Sequence, residues 1–238
     1  QIVPYGIYRE KAVAKHDPVS KLVKNKKAFK LLWFGGIYPW FDLTNLLEAV
    51  KNANQTTPIE LIMVGVKNPF NQHPDFIKRY EEVMDYIKNN NMDEIVHITD
   101  WVKFEDRAEW YLGSDAVVLI NNIGVENTLA WRTRLVDYVW ADLPIVTNGG
   151  DPMSDILEAN NAVYILPDLD AKTIEKEIIK ISKDKETLKQ VSANLSKVRK
   201  LFYWDKVTEN LSKLIFEGYK PADAGYLENA VININDLQ

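Results

Sequence analysis

Between Gly124 and Asp151 the chain reads GVENTLAWRTRLVDYVWADLPIVTNGGD, gathering acids, arginines and a glycine pair around one strand-helix-strand unit. Arginine presents a planar fork of donors that suits phosphate oxygens, and a helix N-terminus adds unpaired amides and a positive dipole end. Arg132, Thr133 and Arg134 stand where a helix must begin, so they are placed to meet a diphosphate. Asp137, three residues beyond Arg134, falls on the same helical face, and a carboxylate there can accept hydrogen bonds from vicinal hydroxyls such as those of a ribose. Glu126, Asn127 and Thr128 in the preceding loop, and Gly149, Gly150 and Asp151 in the turn that follows, complete the set. Phosphate at one end and hydroxyls at the other is the chemistry of a nucleotide-sugar site.

These residues need a scaffold, and the sequence alternates strand and helix signals almost from end to end. Short β-branched or apolar runs at Lys30–Phe34, Ile59–Val64, Ile95–Thr99, Ala116–Ile120, Pro144–Thr147 and Val163–Leu166 read as buried parallel strands. Between them, helical periodicity covers Leu43–Asn52, Phe76–Asn89, Glu105–Leu112, Thr133–Ala141 and Ser154–Ala159. In the fourth of these, Leu135, Val136, Val139, Trp140 and Leu143 form the apolar stripe, and Pro144 cannot continue the helix. Such alternation predicts an α/β fold, a doubly wound, Rossmann-like parallel sheet. Two or three amphipathic helices from Ala171 to Phe216 follow it. The domain is expected over residues 30–220, after an interdomain linker at 1–29 whose Lys11–Lys27 stretch is polar and holds Pro18, and before a tail at 221–238.

In a six-stranded doubly wound order the first and fourth strands are neighbours, and ligands bind above their carboxyl ends. That brings the loop Gly35-Gly36-Ile37-Tyr38-Pro39-Trp40-Phe41-Asp42 opposite Glu126, Arg132 and Arg134. Glycines let the backbone approach a ligand, and Asp42 can cap the next helix. Trp101 and Val102 follow the third strand, where they can line a base pocket. Taken singly, a Gly-Gly turn serves as a plain tight turn and an Arg-Asp pair as a surface ion pair. Their coincidence at one crevice is what points to a ligand.

Composition narrows the rest. A net charge of −5 argues against broad contact with nucleic acid phosphates. With no cysteine and only His16, His73 and His97, far apart, no thiol nucleophile and no protein-built metal site is visible. No apolar run approaches the roughly 20 residues of a membrane span, and no signal segment opens the chain, so a cytoplasmic protein is expected. Gln1 in place of an initiator methionine reads as the start of an excised fragment.

The same residues resemble the group 1, or family 4, retaining glycosyltransferases of the GT-B architecture. Val3-Pro4-Tyr5-Gly6 is similar to the segment that ends the acceptor domain, and Leu32-Trp33-Phe34-Gly35-Gly36 to the first donor-domain strand and its glycine loop. Asp100-Trp101-Val102 resembles the "GxV" stretch near the base, Asp137–Pro144 the "EAMAxGxP" helix, Thr147–Asp151 the glycine turn after it, and Phe202-Tyr203-Trp204 a late "sW" helix. The resemblance implies that Asp137 stands for the second glutamate of the E-x7-E motif, the ribose binder. It makes Glu126 the nearest candidate for the first glutamate, which faces the donor sugar, although Glu126 lies further from Asp137 than the motif spacing. The family's Arg and Lys after the first strand are missing from Gly36–Asp42, so Arg132 or Arg134 is expected to bring that charge from the facing loop, Arg134 as stabiliser of the leaving group.

On this resemblance the chain is the donor-binding half of a hexosyltransferase that holds a UDP- or GDP-sugar, needs no cofactor or metal, and works with an N-terminal acceptor domain absent from the chain. Membrane contact, if any, would be peripheral and through that domain. Two alternatives share the fold: a GT-B sugar-nucleotide epimerase, and a degenerate GT-B domain kept for protein association.

Overall fold

The structure, a computed structural model, describes residues 3–70 and 73–217. Six parallel strands, β1 (Phe29–Phe34), β2 (Ile59–Val64), β3 (Val96–Thr99), β4 (Ala116–Leu119), β5 (Ile145–Thr147) and β6 (Tyr164–Ile165), lie in the order β3-β2-β1-β4-β5-β6. This is the expected doubly wound arrangement. Helices α1 (Val19–Leu22), α2 (Leu43–Ala53), α3 (Pro74–Asn89), α4 (Arg107–Leu112), α5 (Val125–Leu129), α6 (Thr133–Trp140) and α7 (Pro152–Ala159) lie before or between the strands. The C-terminal helices are α8 (Ala171–Lys183), α9 (Lys185–Val198), α10 (Trp204–Val207) and α11 (Glu209–Glu217).

The centre of the sheet is the most apolar part, as a sheet covered on both faces requires. Every residue of β2 and β4 is buried, and β1 pairs with both neighbours, Leu31 facing Leu61 on one side and Ala116 on the other. The stripe read on α6 holds for its buried positions Leu135, Val136 and Val139, joined by Tyr138. Aspartates set the starts of several helices: Asp42, Asp151, Asp170 and Asp184 each accept a backbone hydrogen bond from the first turn they precede.

Three local features differ from the sequence expectation. The loop Asn121–Arg132 contains the short helix α5, whose exposed Val125 and Leu129 give no core-facing period. β6 is only two residues long, at the sheet edge. The lysine-rich stretch before β1 is packed rather than free-standing. Val19 and Val23 are buried, and the backbone amides of Lys24 and Asn25 donate to the Glu60 carboxylate at 2.9 and 2.6 Å. Further upstream, Ile7 bridges to Tyr203, with the Ile7 amide donating to the Phe202 carbonyl at 2.7 Å. The tail at 221–238 lies outside the described residues.

Asp151 is almost fully buried, and its carboxylate accepts from the amides of Met153 (3.0 Å) and Ser154 (3.1 Å) and from the Ser154 hydroxyl. Asp151→Ala should therefore lower stability by about 1–2 kcal/mol in urea melts, the loss expected of a helix N-cap.

Candidate functional site

Where the chain leaves β1 toward one side of the sheet and β4 toward the other, their following loops part and leave a cavity of about 570 Å³ at the carboxyl ends of the strands. Phe34, Gly35, Gly36 and Tyr38 form its floor; Trp101, Phe104, Arg107 and Tyr111 come from the β3–α4 side. Thr133, Arg134, Val136, Asp137 and Trp140 of α6 form the opposite wall, and Tyr5–Tyr8 with Trp204 close one end.

The glycine pair is required by what lies on it. Gly35 has φ +110°, a conformation that side chains rarely adopt, and a Cβ there would stand 2.7 Å from the Arg134 guanidinium carbon. A Cβ on Gly36 would meet the Tyr38 ring at 2.8 Å. The missing side chains let Arg134 lie across the backbone, where Nη2 donates to the Gly36 carbonyl at 3.0 Å and the guanidinium sits 4.7 Å from the Phe41 ring centre. Arg134 forms no ion pair among the described residues, and its Nη1 is buried without a hydrogen-bond partner. Burial lowers its pKa, yet arginine starts so high that it stays charged. The first turn of α6 lacks a side-chain cap at Arg132, so its amide dipoles add to this positive corner.

Asp137, one turn on, also faces the cavity. Its carboxylate accepts from Arg107 Nε at 3.2 Å and from the Tyr111 hydroxyl at 3.4 Å. Burial raises its pKa while Arg107 opposes the rise. The shared face of Arg134 and Asp137 is thus the face that the crevice uses. Burial likewise pushes the Tyr111 and Tyr138 phenols up, so both remain neutral hydrogen-bonding groups.

The other expected residues lie beside this cavity rather than in its lining. Arg132 is buried and directs its guanidinium to both oxygens of Glu126 (3.0 and 2.7 Å) and to Asn127 Oδ1 (3.0 Å). Glu126 and Arg132, expected to face a sugar and a diphosphate, are thus paired with each other. Asn127 in turn donates to the Gly149 carbonyl at 2.9 Å, which ties α5 to the left-handed Gly149-Gly150 turn. Thr128 bonds back to the Gly124 carbonyl at 3.2 Å, Val102 packs half-buried on the core, and Asp151 caps α7. Eight residues before Asp137, at the spacing of an E-x7-E pair, stands Leu129, with 75% of its surface exposed.

Sequence reasoning missed Arg107, Tyr111, Tyr38, Phe104 and Trp140. Arg107 and Tyr111 are four apart on α4, so they share one face of a helix that follows a strand opening on the crevice. That spacing was the available signal.

Gly35→Ala should destabilise the fold by about 1–3 kcal/mol, the scale of a strained backbone position. Its crystal structure should show the Arg134 guanidinium displaced from the Gly36 carbonyl; an unmoved Arg134 would contradict the packing described.

A family model of the glycosyl transferases group 1 matches residues 28–184, a span that holds every residue named above from Gly35 to Asp151. No curated protein matches the sequence. Among solved structures the fold is similar to sucrose-phosphate synthase from Thermosynechococcus elongatus, with TM-score 0.67 and 17% identity over 91% of this chain and 52% of that one. It is also similar to WaaG, a glycosyltransferase involved in lipopolysaccharide biosynthesis (TM-score 0.65, 14% identity, 92% of this chain and 56% of that one). A third is Anabaena HepE in complex with UDP and glucose (TM-score 0.64, 14% identity, 80% and 49%). The chain spans about half the length of these proteins. By its sequence match and its six-stranded Rossmann-like sheet, the chain belongs to the group 1 glycosyltransferases and has the fold of their GT-B members.

Proposed function

We propose that the chain is the donor-binding half of a glycosyltransferase that moves a sugar from a nucleoside diphosphate sugar to an acceptor held by a second domain. The observation that carries this reading is Arg134: a desolvated cation with no carboxylate partner among the described residues, laid across two glycines at the head of a helix. An unpaired buried charge costs stability, and a diphosphate would remove that cost. In this reading Arg134 and the α6 amides oppose the charge that grows on the diphosphate as its bond to the anomeric carbon breaks, with no metal ion required. Retention of anomeric configuration follows from the resemblance.

Asp137 accepts the ribose hydroxyls, and Trp101 lies against the base. Glu126, Asn127, Thr128, Arg132 and the Gly149-Gly150 turn form the neighbouring wall assigned to the sugar. For Glu126 to reach the sugar, its contact with Arg132 must be exchanged or shared. Val102 and Asp151 support the site from behind, by packing and by capping. The neighbour HepE, solved with UDP and glucose, makes UDP the first donor nucleotide to try. No helix among the described residues is long and apolar enough to cross a membrane; a cytoplasmic location, with any membrane contact made peripherally through the second domain, goes with the reading.

Isothermal titration of the chain with UDP, GDP and their sugars tests it. Arg134→Met should weaken nucleoside diphosphate binding by about 10- to 100-fold, the loss of one charge-assisted interaction of ~1.5–3 kcal/mol, while leaving the melting temperature unchanged or raised. A folded wild-type chain that binds none of these ligands would sink the proposal.

A second reading, a GT-B domain retained for protein association, is favoured by the Glu126–Arg132 pair and by Leu129 at the motif spacing. Under it, Asp137→Ala and Arg134→Ala would leave the cellular role of the full-length protein intact.

A further inference from the structure

The Asp137 carboxylate faces a difficulty that its proposed task makes worse. Burial raises its pKa above the ordinary carboxylate value, whereas accepting two ribose hydroxyls calls for an ionised carboxylate with its lone pairs turned to the crevice. The titratable and charged groups around it are Arg107 and Tyr111 on α4, and Arg134 and Tyr138 on its own helix. Tyr111 and Tyr138 are neutral, and Arg134 is directed away, onto the Gly36 carbonyl. Among the described residues, Arg107 alone is both charged and in contact.

Arg107 is itself held on several sides. Nη1 donates to the Phe104 carbonyl at 2.8 Å, and Nε donates to Asp137 Oδ1 at 3.2 Å. The guanidinium carbon lies 3.5 Å from the Phe104 ring centre and 4.4 Å from that of Trp140, between one aromatic on the β3–α4 connection and another on α6. Only 11% of the side chain is exposed. A cation fixed in an aromatic stack loses little further freedom when it engages an anion, so the geometry of its partner is set in advance. The carboxylate, by contrast, keeps 31% exposure on the cavity side. Arg107 holds Oδ1, the Tyr111 hydroxyl reaches Oδ2 at 3.4 Å, and the exposed remainder of the carboxylate is open to a ligand.

Resting on the donor-site reading, we propose that Arg107, with its Phe104–Trp140 stack, is a positioning residue. It holds the Asp137 carboxylate ionised and turned toward the crevice, and so sets the preference of the site for a ribose bearing a 2′-hydroxyl. It acts through Asp137.

The test is calorimetric titration of the 238-residue chain with UDP or GDP, whichever the wild type binds, and with its 2′-deoxy counterpart, from about pH 8 to about pH 5. Wild type should bind the ribonucleotide about 10-fold more tightly than the deoxy form, the worth of one hydrogen bond to a charged acceptor. Arg107→Met keeps the volume of the side chain and removes its charge and donors. In it, ribonucleotide binding should weaken by about 10-fold near neutral pH and fall further as the pH drops, because an unopposed burial effect protonates Asp137. The preference for the 2′-hydroxyl should shrink toward none. Arg107→Lys, which restores the charge without the fork, should recover part of the affinity and flatten the pH profile.

An equal loss for both nucleotides at every pH, or no loss, overturns the proposal, since a purely structural role would give the former. Thermal melts of each variant separate misfolding from weak binding, and Arg107→Lys carries the test if Arg107→Met does not fold. A wild type that binds neither UDP nor GDP overturns the donor-site reading and this proposal with it, whereas normal binding with an unchanged Arg107→Met profile overturns this proposal alone.

Discussion

The pairing of β1 with β4 is the constraint on which the rest depends. All six strands are parallel, so each connection must carry the chain from the carboxyl end of one strand back to the amino end of the next, and the two halves of the chain wind outward from this central pair. Only there do consecutive loops diverge instead of packing side by side. The crevice is a consequence of that divergence, and Gly35-Gly36 and α6 face each other across it although 98 residues separate Gly36 from Arg134.

Within the crevice, electrostatics and burial pull in opposite directions. Arg134 would be better solvated at the surface, and Asp137 would ionise more easily there; the fold instead draws both into partial shelter and, among the described residues, gives a charged partner to Asp137 and none to Arg134. The aromatic residues Tyr38, Phe41, Phe104 and Trp140 surround the two guanidinium groups, supplying polarisable faces where water has been removed. An imbalance of this kind leaves the charge of Arg134 without an ionic counterpart among the described residues, the observation on which the proposed donor site rests. Beside it, the Glu126–Arg132–Asn127–Gly149 chain of hydrogen bonds is internally satisfied at its carboxylate and carbonyl ends, and it fixes the loop that borders the crevice.

Much of this was legible before the fold was known. The strand runs, the α6 stripe, the Asp42 cap and the common face of Arg134 and Asp137 follow from local patterns, namely continuous apolar runs, period 3.6 and proline or glycine punctuation. The neighbourhood of the first and fourth strands follows from the doubly wound topology that their alternation implies. The short helix α5 escaped because its apolar side chains point to solvent and carry no core period. The packing of the segment before β1 escaped because isolated anchors, Ile7, Val19 and Val23, sit in an otherwise polar stretch.

By itself the sequence determined which residue types were available and which stretches had to be buried, because hydrophobic periodicity and helix-end chemistry act over a few neighbours. Tertiary structure decided the partners. It matched Arg132 to Glu126, Arg107 to Asp137, and left Arg134 with a backbone carbonyl. Charges attract over a few ångströms in space regardless of their distance along the chain, so which arginine is left without a carboxylate depends on the approach of loops that the folded sheet brings together.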